Sequence, residues 1–246
     1  MEYLSGVKLR RELPEGSYLR RLPPVRYLMA GNELRFDRPV TFLVGENGSG
    51  KSTLLEAIAV ACGFNPEGGT RNFRFATRET HSELGGYLTP IRKGYPRDGF
   101  FLRAESFYNV ASNIDEMDEG GILGPRVIDS YGGVSLHRQS HGESFLALVK
   151  NRFGGEGLYL LDEPEAALSP SRLLTLLCEV RRLVESDSQL IIATHSPILM
   201  AYPGARLYLL GEDGVRAADY RETEHYQLTK RFLDDPERML HYLLKD

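Results

Sequence analysis

Cysteine is scarce in this chain of 246 residues. The two cysteines, Cys62 and Cys178, lie far apart in two apolar stretches with helical spacing. Neither belongs to a C-x-x-C pair or to another spacing typical of metal sites, so a zinc centre or a disulfide framework is not indicated. We expect both cysteines to be buried free thiols in a reducing cytoplasm.

Long apolar runs and a strong charge of one sign are also missing. No stretch approaches the about 18 consecutive apolar residues of a membrane-spanning helix. Residues 1–8 lack the charged-then-apolar pattern of a secretory signal. The formal net charge of −4 gives no overall reason to expect a polyanionic partner. We therefore expect a soluble, cytoplasmic, globular protein without direct membrane insertion.

A glycine-rich stretch, which we call the phosphate loop, matches the pattern G-x-x-x-x-G-K-[ST]; it reads Gly45-Glu46-Asn47-Gly48-Ser49-Gly50-Lys51-Ser52. The apolar residues 40–44 before it predict a buried strand, and the apolar spacing from Thr53 onward predicts a helix. Strand, loop and helix together surround one anion with backbone N–H groups. Lys51 would reach the β- and γ-phosphates and the Ser52 hydroxyl would bind Mg²⁺. The sequence thus predicts a site for a nucleoside triphosphate.

Further apolar runs and turn signals predict the remaining elements. Short strands are expected at residues 7–10, 25–28 and 34–36, and buried parallel strands at 157–161 and 190–194. We also predict a polar helix at 107–118, a helix that begins after Ser169, and a hairpin within 206–217. Residues 222–245 predict two helices, the second with Asp235 as N-cap and Pro236 in its first turn.

These elements predict an α/β fold: a P-loop NTPase core with a mainly parallel sheet, N-terminal antiparallel strands and a small arm or helical subdomain. We expect one domain over residues 1–246. Within it, residues 1–62 and 154–221 would form the nucleotide-binding core and 63–153 an arm and signature subdomain. Residues 222–246 would form C-terminal helices.

Two adjacent carboxylates, Asp162 and Glu163, follow the predicted strand at 157–161. The first could hold Mg²⁺ beside Ser52, and the second could orient and deprotonate an attacking water. Acidic pairs are common at strand ends, so this signal is weak alone. Together with the phosphate loop it is strong.

The order of these motifs over about residues 34–200 resembles the ATP-binding-cassette (ABC-type) ATPases, most of all small bacterial stand-alone ATPases of the AAA and ABC types. The resemblance rests on the phosphate loop, residues 158–163, His195 and the segment Ser140-His141-Gly142-Glu143. It implies that Asp162 is the Walker B magnesium carboxylate and Glu163 the general base. His195 would be the switch histidine that contacts the γ-phosphate, residues 166–169 the D-loop, and residues 140–143 the family signature. The histidines at 81, 137, 225 and 241 have no comparable context and receive no role.

The resemblance also implies ATP and Mg²⁺ as cofactors and an ATP-dependent head-to-tail homodimer. In such dimers the signature of one domain, here with Ser140, Gly142 and Glu143, faces the phosphate loop of the other. Two departures stand out: His141 replaces the usual first signature glycine, and no Q-loop glutamine follows the strand near residue 100. Glu105 is the positional substitute; it would either contact Mg²⁺ or water or simply lie at the surface. Tyr18 is a weak candidate for stacking on adenine.

Several functions fit this family. A soluble stand-alone ATPase ranks first, and the nucleotide-binding subunit of an ABC membrane transporter is the alternative. Two other functions rank lower. Glu163 argues against a non-enzymatic module in which ATP only holds a dimer together. The signature segment and His195 argue against a small-molecule kinase.

The molecule on which such an ATPase would act stays open, and the segment 70–103 bears on it. It carries seven basic and three acidic residues with interleaved aromatics; the basic ones are Arg71, Arg74, Arg78, Arg92, Lys93, Arg97 and Arg103. Such a mixture occurs on nucleic-acid-binding faces. A solvated arm with its own small aromatic core and some arginines near phosphate is the favoured explanation.

Overall fold

A computed structural model describes residues 2–71, 82–104 and 140–245, and between the last two ranges residues 107, 111–112, 127–131, 133 and 135–138. Its strands are β1 (Leu4–Leu9), β2 (Leu34–Arg35), β3 (Val40–Val44), β4 (Leu88–Arg92), β5 (Asp98–Arg103), β6 (Gly157–Asp162), β7 (Gln189–Ala193), β8 (Arg206–Gly211) and β9 (Gly214–Ala217). Its helices are α1 (Pro23–Met29), α2 (Lys51–Ala61), α3 (His141–Arg152), α4 (Pro170–Glu185), α5 (Pro197–Met200), α6 (Glu224–Asp234) and α7 (Pro236–Leu243).

A six-stranded sheet organises the chain, with the strand order β5-β6-β7-β3-β8-β9. Neighbours from β5 to β8 pair in parallel, and β9 returns antiparallel to β8. The carboxyl ends of β3, β5, β6 and β7 therefore meet at one edge of the sheet, which is where open α/β sheets bind ligands.

Helices cover both faces of this sheet. Along β3, Phe42 and Val44 point into a core shared with the apolar sides of α3 and α4. Leu43 points to the other face, where a second core contains α2, α1 and the small sheet. Because β3 and β7 are buried on both faces, their sequences are continuous apolar runs rather than alternating ones.

The second sheet is antiparallel, with the order β2-β1-β4. One buried amide ties it to the large sheet: Gln189 accepts from the backbone N–H groups of Tyr3 and Leu4, each at 2.9 Å, and donates to the Leu4 carbonyl at 2.7 Å. The predicted fold class, a mainly parallel sheet with N-terminal antiparallel strands, is confirmed.

Two local predictions are wrong. Residues 25–28 form part of helix α1 and not a strand, because Pro23 and Pro24 occupy the first helical turn, where proline is favourable. Cys178 is exposed, whereas Cys62 is buried as expected. The buried stripe of α4 runs through Leu176 and Val180, and Cys178 lies between them on the opposite side of the helix.

The division into core, arm and C-terminal helices stays a prediction. Strand β5, which falls within the predicted arm segment 63–153, pairs along its whole length with β6 in the large sheet. The predicted helix at 107–118 lies mostly outside the described residues. Among the residues that the structure describes, no helix is both long and apolar enough to cross a membrane.

Candidate functional site

The phosphate loop connects β3 to α2 at the carboxyl edge of the large sheet. Gly50 is the N-cap of α2 and has a left-handed backbone (φ 89°, ψ 16°), a conformation that glycine adopts without steric cost. The next residue, Lys51, is only 4% exposed, and its Nζ donates to the carbonyl oxygens of Gly45 at 2.8 Å and Glu46 at 3.0 Å. The ammonium therefore lies inside the curve of the loop. Ser52 and Thr53 follow in the first turn of α2, both half-buried.

Three carboxylates at the end of β6 and in the turn after it act electrostatically on this ammonium. Burial lowers the pKa of Lys51, while Glu163, Asp162 and Glu165 act on its pKa in the opposite direction. Lys51, Asp162 and Glu163 also line one cavity, so the two predicted halves of the site lie together. The parallel order of β3, β7 and β6 produces this arrangement.

Asp162 ends β6 and is buried. Its Oδ2 lies 3.4 Å from the Nε of Arg103, which ends the neighbouring strand β5. Arg103 also donates from Nη1 to Glu56 of α2 at 2.7 Å. One guanidinium thus bridges the carboxylate expected to bind Mg²⁺ and a buried glutamate behind the phosphate loop. The sequence interpretation counted Arg103 only among the basic residues of the arm.

Glu163 adopts a left-handed backbone conformation (φ 49°, ψ 52°). Its backbone N–H donates to the Ala193 carbonyl at 2.9 Å, so the turn is tied to the end of β7. Its Oε1 lies 3.4 Å from Nε2 of His195, the residue that follows β7 by two positions. The two residues assigned to catalysis by resemblance therefore face each other.

Glu165 is a site residue that the sequence reasoning missed. Its Oε1 accepts from the Thr194 hydroxyl at 2.7 Å and from the backbone N–H of His195 at 2.5 Å, and it lies 3.7 Å from His195 Nε2. This carboxylate holds the backbone at the start of the His195 turn. Its place one residue beyond Pro164, in the same acidic segment, was the available signal.

His225, to which the sequence assigned no role, also lies at the site. Its ring stacks on His195 with a centroid distance of 5.7 Å and an angle of 28° between the planes. Burial is the main cause of its lowered pKa, and His195 and Lys51 lower it further, whereas Glu46 and Glu165 raise it. Nothing in the local sequence of α6 indicated this long-range contact.

The signature segment begins α3. Ser140 is its N-cap and forms a capping box with Glu143: the Ser140 hydroxyl lies 2.6 Å, and its backbone nitrogen 3.1 Å, from Glu143 Oε2. These hydrogen bonds, above all that from the Ser140 hydroxyl, lower the pKa of Glu143. A Cβ on Gly142 would lie 2.8 Å from the carbonyl oxygen of Ala167, so this position needs glycine. The segment is therefore fitted to the D-loop region of its own chain.

Two cavities flank the phosphate loop. One, of about 640 Å³, is lined by Lys51, Ser52 and Thr53, by Asp162 and Glu163, and by Arg103 and His141. The other, of about 970 Å³, lies beside residues 45–49 and is lined by Arg21, Arg26, residues 209–213 and His225. Tyr18 is 64% exposed and lines neither cavity. Glu105 lies outside the described residues.

Two protein-family models match parts of the chain. Residues 25–99 match the family model described as "AAA domain", and residues 134–201 match that described as "AAA domain, putative AbiEii toxin, Type IV TA system". No curated protein matches the chain.

Two of the solved structures that share its fold are parts of ABC transporters. The first is cbiO1 from Clostridium perfringens, part of the ABC transporter complex cbiONQ, with 19% identity over 99% of both chains and a TM-score of 0.52. The second is MJ1267, an ATP-binding cassette of an ABC transporter, with 17% identity over 98% of this chain and 99% of that one and a TM-score of 0.51.

Proposed function

Because the chain is a P-loop NTPase domain of the AAA and ABC types, we propose that it binds Mg-ATP and hydrolyses it to ADP and phosphate. The observation that carries the proposal is the convergence of Lys51, Asp162, Glu163 and His195 at one edge of the sheet: the first three line one cavity, and His195 contacts Glu163. The Glu163–His195 contact has a role in the nucleotide sites of an ABC-type homodimer. It has none in a small-molecule kinase.

The residues at this edge fit a magnesium ion. A buried carboxylate, Asp162, and a half-buried hydroxyl, Ser52, line one cavity, and Mg²⁺ prefers such oxygen ligands. Two oxygens from the protein are enough, because Mg²⁺ in nucleotide sites keeps water and substrate phosphate as its other ligands. Bound Mg²⁺ supplies positive charge that stabilises the phosphoryl oxygens in the transition state.

The chain's own groups account for the remaining roles. Lys51 donates hydrogen bonds to the β- and γ-phosphates, either in place of those to the loop carbonyls or in addition to them. The backbone N–H groups of the loop bind the same phosphate oxygens. Glu163 accepts a proton from the attacking water, and the neighbouring His195 contacts the γ-phosphate and orients that carboxylate. The left-handed backbone at Glu163 aims its side chain at His195 rather than along the strand.

A second copy of the chain would complete each site. Ser140 is exposed at the N-terminus of α3, and its N–H group and hydroxyl, which donate to Glu143 in the single chain, would turn to the γ-phosphate bound to another chain. His141 lines the cavity of its own chain. Nucleotide would bridge the two copies, and we therefore expect dimerisation to depend on ATP.

The experiment is light scattering of Glu163→Gln with and without Mg-ATP, together with ATP turnover. The substituted amide cannot accept the proton, so hydrolysis should fall at least about 100-fold while ATP binding persists and the mass doubles. Glu237→Gln, which changes an exposed glutamate on α7, is the matched control and should hydrolyse at the wild-type rate. Wild-type turnover in Glu163→Gln would refute the assignment of the base.

A transporter subunit is the second candidate, since the solved cassettes that share the fold belong to ABC transporters. In that case Glu163→Gln would bind ATP and stay monomeric, because the sites would need a membrane partner. Co-purification with a polytopic membrane protein would then support the transporter subunit over the stand-alone ATPase.

A nucleic-acid client is tested separately. In the basic segment, Arg71 packs over Phe64 and Arg103 is engaged at the site, whereas the side chains of Lys93 and Arg97 are 61% and 83% exposed. Arg74 and Arg78 lie outside the described residues. If the exposed pair contacts phosphates, Lys93→Gln/Arg97→Gln should weaken duplex DNA binding and reduce its salt dependence. Equal binding by both proteins would exclude this pair as the contact.

A further inference from the structure

The first turn of α6 is anchored although the rest of the helix is exposed. Thr223, the N-cap, is fully buried; its hydroxyl accepts from the backbone N–H of Tyr226 at 3.3 Å and donates to the Tyr220 carbonyl at 2.6 Å. The same oxygen lies 3.8 Å from the sulfur of Met200, at the end of α5. Helix α5 begins two residues after His195, so one short unit holds both His195 and the start of α6.

This anchor fixes His225, two residues beyond Thr223, against the site. The His225 ring is half-buried and stacks on one side of His195, while Nε2 of His195 faces Glu163. A cavity of about 500 Å³ continues from here to Glu46 and Asn47 of the phosphate loop. Glu163, His195 and His225 thus lie in a row that ends on α6.

The contacts from His195 to carboxylates are long. Its Nε2 lies 3.4 Å from Glu163 and 3.7 Å from Glu165, beyond the about 2.7–3.2 Å of a good hydrogen bond. These two contacts alone allow the ring to rotate about its χ2 angle. Packing against a flat neighbour restricts that rotation, and the nearly parallel His225 ring provides such a surface.

We propose that His225 is a positioning residue for ATP hydrolysis, which holds the His195 ring in the orientation that faces Glu163. The proposal rests on the proposed function and deepens it by adding a residue of α6 to the nucleotide site. His225 acts through His195 and touches neither substrate nor metal in this role.

The ring acts in its neutral form. The titratable groups that face it from the packed elements are His195, Lys51, Glu46 and Glu165. Burial is the main cause of its lowered pKa, and His195 and Lys51 lower it further. At neutral pH the His225 ring is therefore uncharged and adds no charge to the stack.

The test compares His225→Ala with His225→Phe, which keeps a flat ring, and with His241→Ala as the matched control on the exposed face of α7. A catalytic group displaced by about 1 Å costs roughly 100-fold in rate. We expect kcat of His225→Ala to fall between about 10-fold and 100-fold with the Kd for ATP within about twofold of wild type. His225→Phe should retain most of kcat, and His241→Ala all of it.

A second readout needs no nucleotide. The imidazole resonances of His195, assigned with His195→Gln, should shift in His225→Ala and stay in place in His241→Ala. Unchanged His195 resonances would overturn the proposal, as would equal losses of kcat in the alanine and phenylalanine variants. Absence of ATP turnover in the wild type would instead refute the proposed function, and the resonances would still test the contact.

Discussion

Replacing Arg103 by methionine removes one cation from between two buried carboxylates. The side chain of Arg103 is 20% exposed, while those of Glu56 and Asp162 are 8% and 6% exposed. The Arg103 contact to Glu56, at 2.7 Å, is the shorter one, and that to Asp162 measures 3.4 Å. Methionine keeps most of the volume, so the change tests charge more than packing.

The size of the effect follows from these contacts. Removing one partner of a buried ion pair costs about 3–5 kcal/mol, because the remaining charge stays buried without compensation. Glu56 keeps a hydrogen bond from the Ser82 backbone at 2.8 Å, and Arg103 is partly solvated, so we expect about 2–3 kcal/mol. For a chain of this size that corresponds to a fall in Tm of about 5–10 °C.

Urea unfolding of Arg103→Met, Glu56→Gln and the double variant measures the coupling. Once Glu56 is neutral, the loss of Arg103 should cost about 1 kcal/mol less than in the wild type. Arg97→Met is the control; the Arg97 side chain is 83% exposed, and its ion pair with Glu156 should contribute less than about 1 kcal/mol. Equal costs for Arg103→Met in both backgrounds, or no cost in either, would refute the reasoning.

Three further predictions concern single residues. Lys51→Met should weaken binding of a fluorescent ATP analogue more than about tenfold while the far-ultraviolet spectrum stays unchanged, since it removes the ammonium that meets the phosphates. The pKa of His225 lies below its usual value of about 6.5, so its contribution to the free energy of unfolding is complete above that pH and is lost as the pH falls through the lowered pKa; His225→Phe should show a smaller decline in acid. Thiol titration of the native protein should detect Cys178 and not Cys62, because burial raises the pKa of Cys62 to about 11.

The sequence was informative where local pattern decides the structure. Residues 40–44 form β3 with the predicted bounds, and Ser169 and Pro170 begin α4 as expected, because an apolar run and a proline in the first helical turn act within a few residues. The Pro23-Pro24 pair was ambiguous, since the same two residues can end a turn or begin a helix. The burial of Val25 and Leu28 against the small sheet decided in favour of the helix.

The site was predictable only in part. The spacing of Lys51, Asp162 and His195 after three strands implied one edge once those strands were taken as parallel. Arg103 required the further knowledge that β5 lies beside β6, and His225 required the path of the chain after β9. Contacts between elements far apart in sequence leave no periodic or local signal, which is why both were missed.

The left-handed backbone of Glu163 lowers the stability of the fold at a residue to which we assign a function. A residue with a Cβ pays about 1–2 kcal/mol in that conformation, and Pro164 disfavours the right-handed helical alternative for the residue before it. Glycine would relieve this strain, so Glu163→Gly should be at least as stable in Tm as Glu163→Ala and still lack the carboxylate. The resting protein therefore carries a conformational cost at the residue that the proposed chemistry needs, and selection for stability alone would remove that residue.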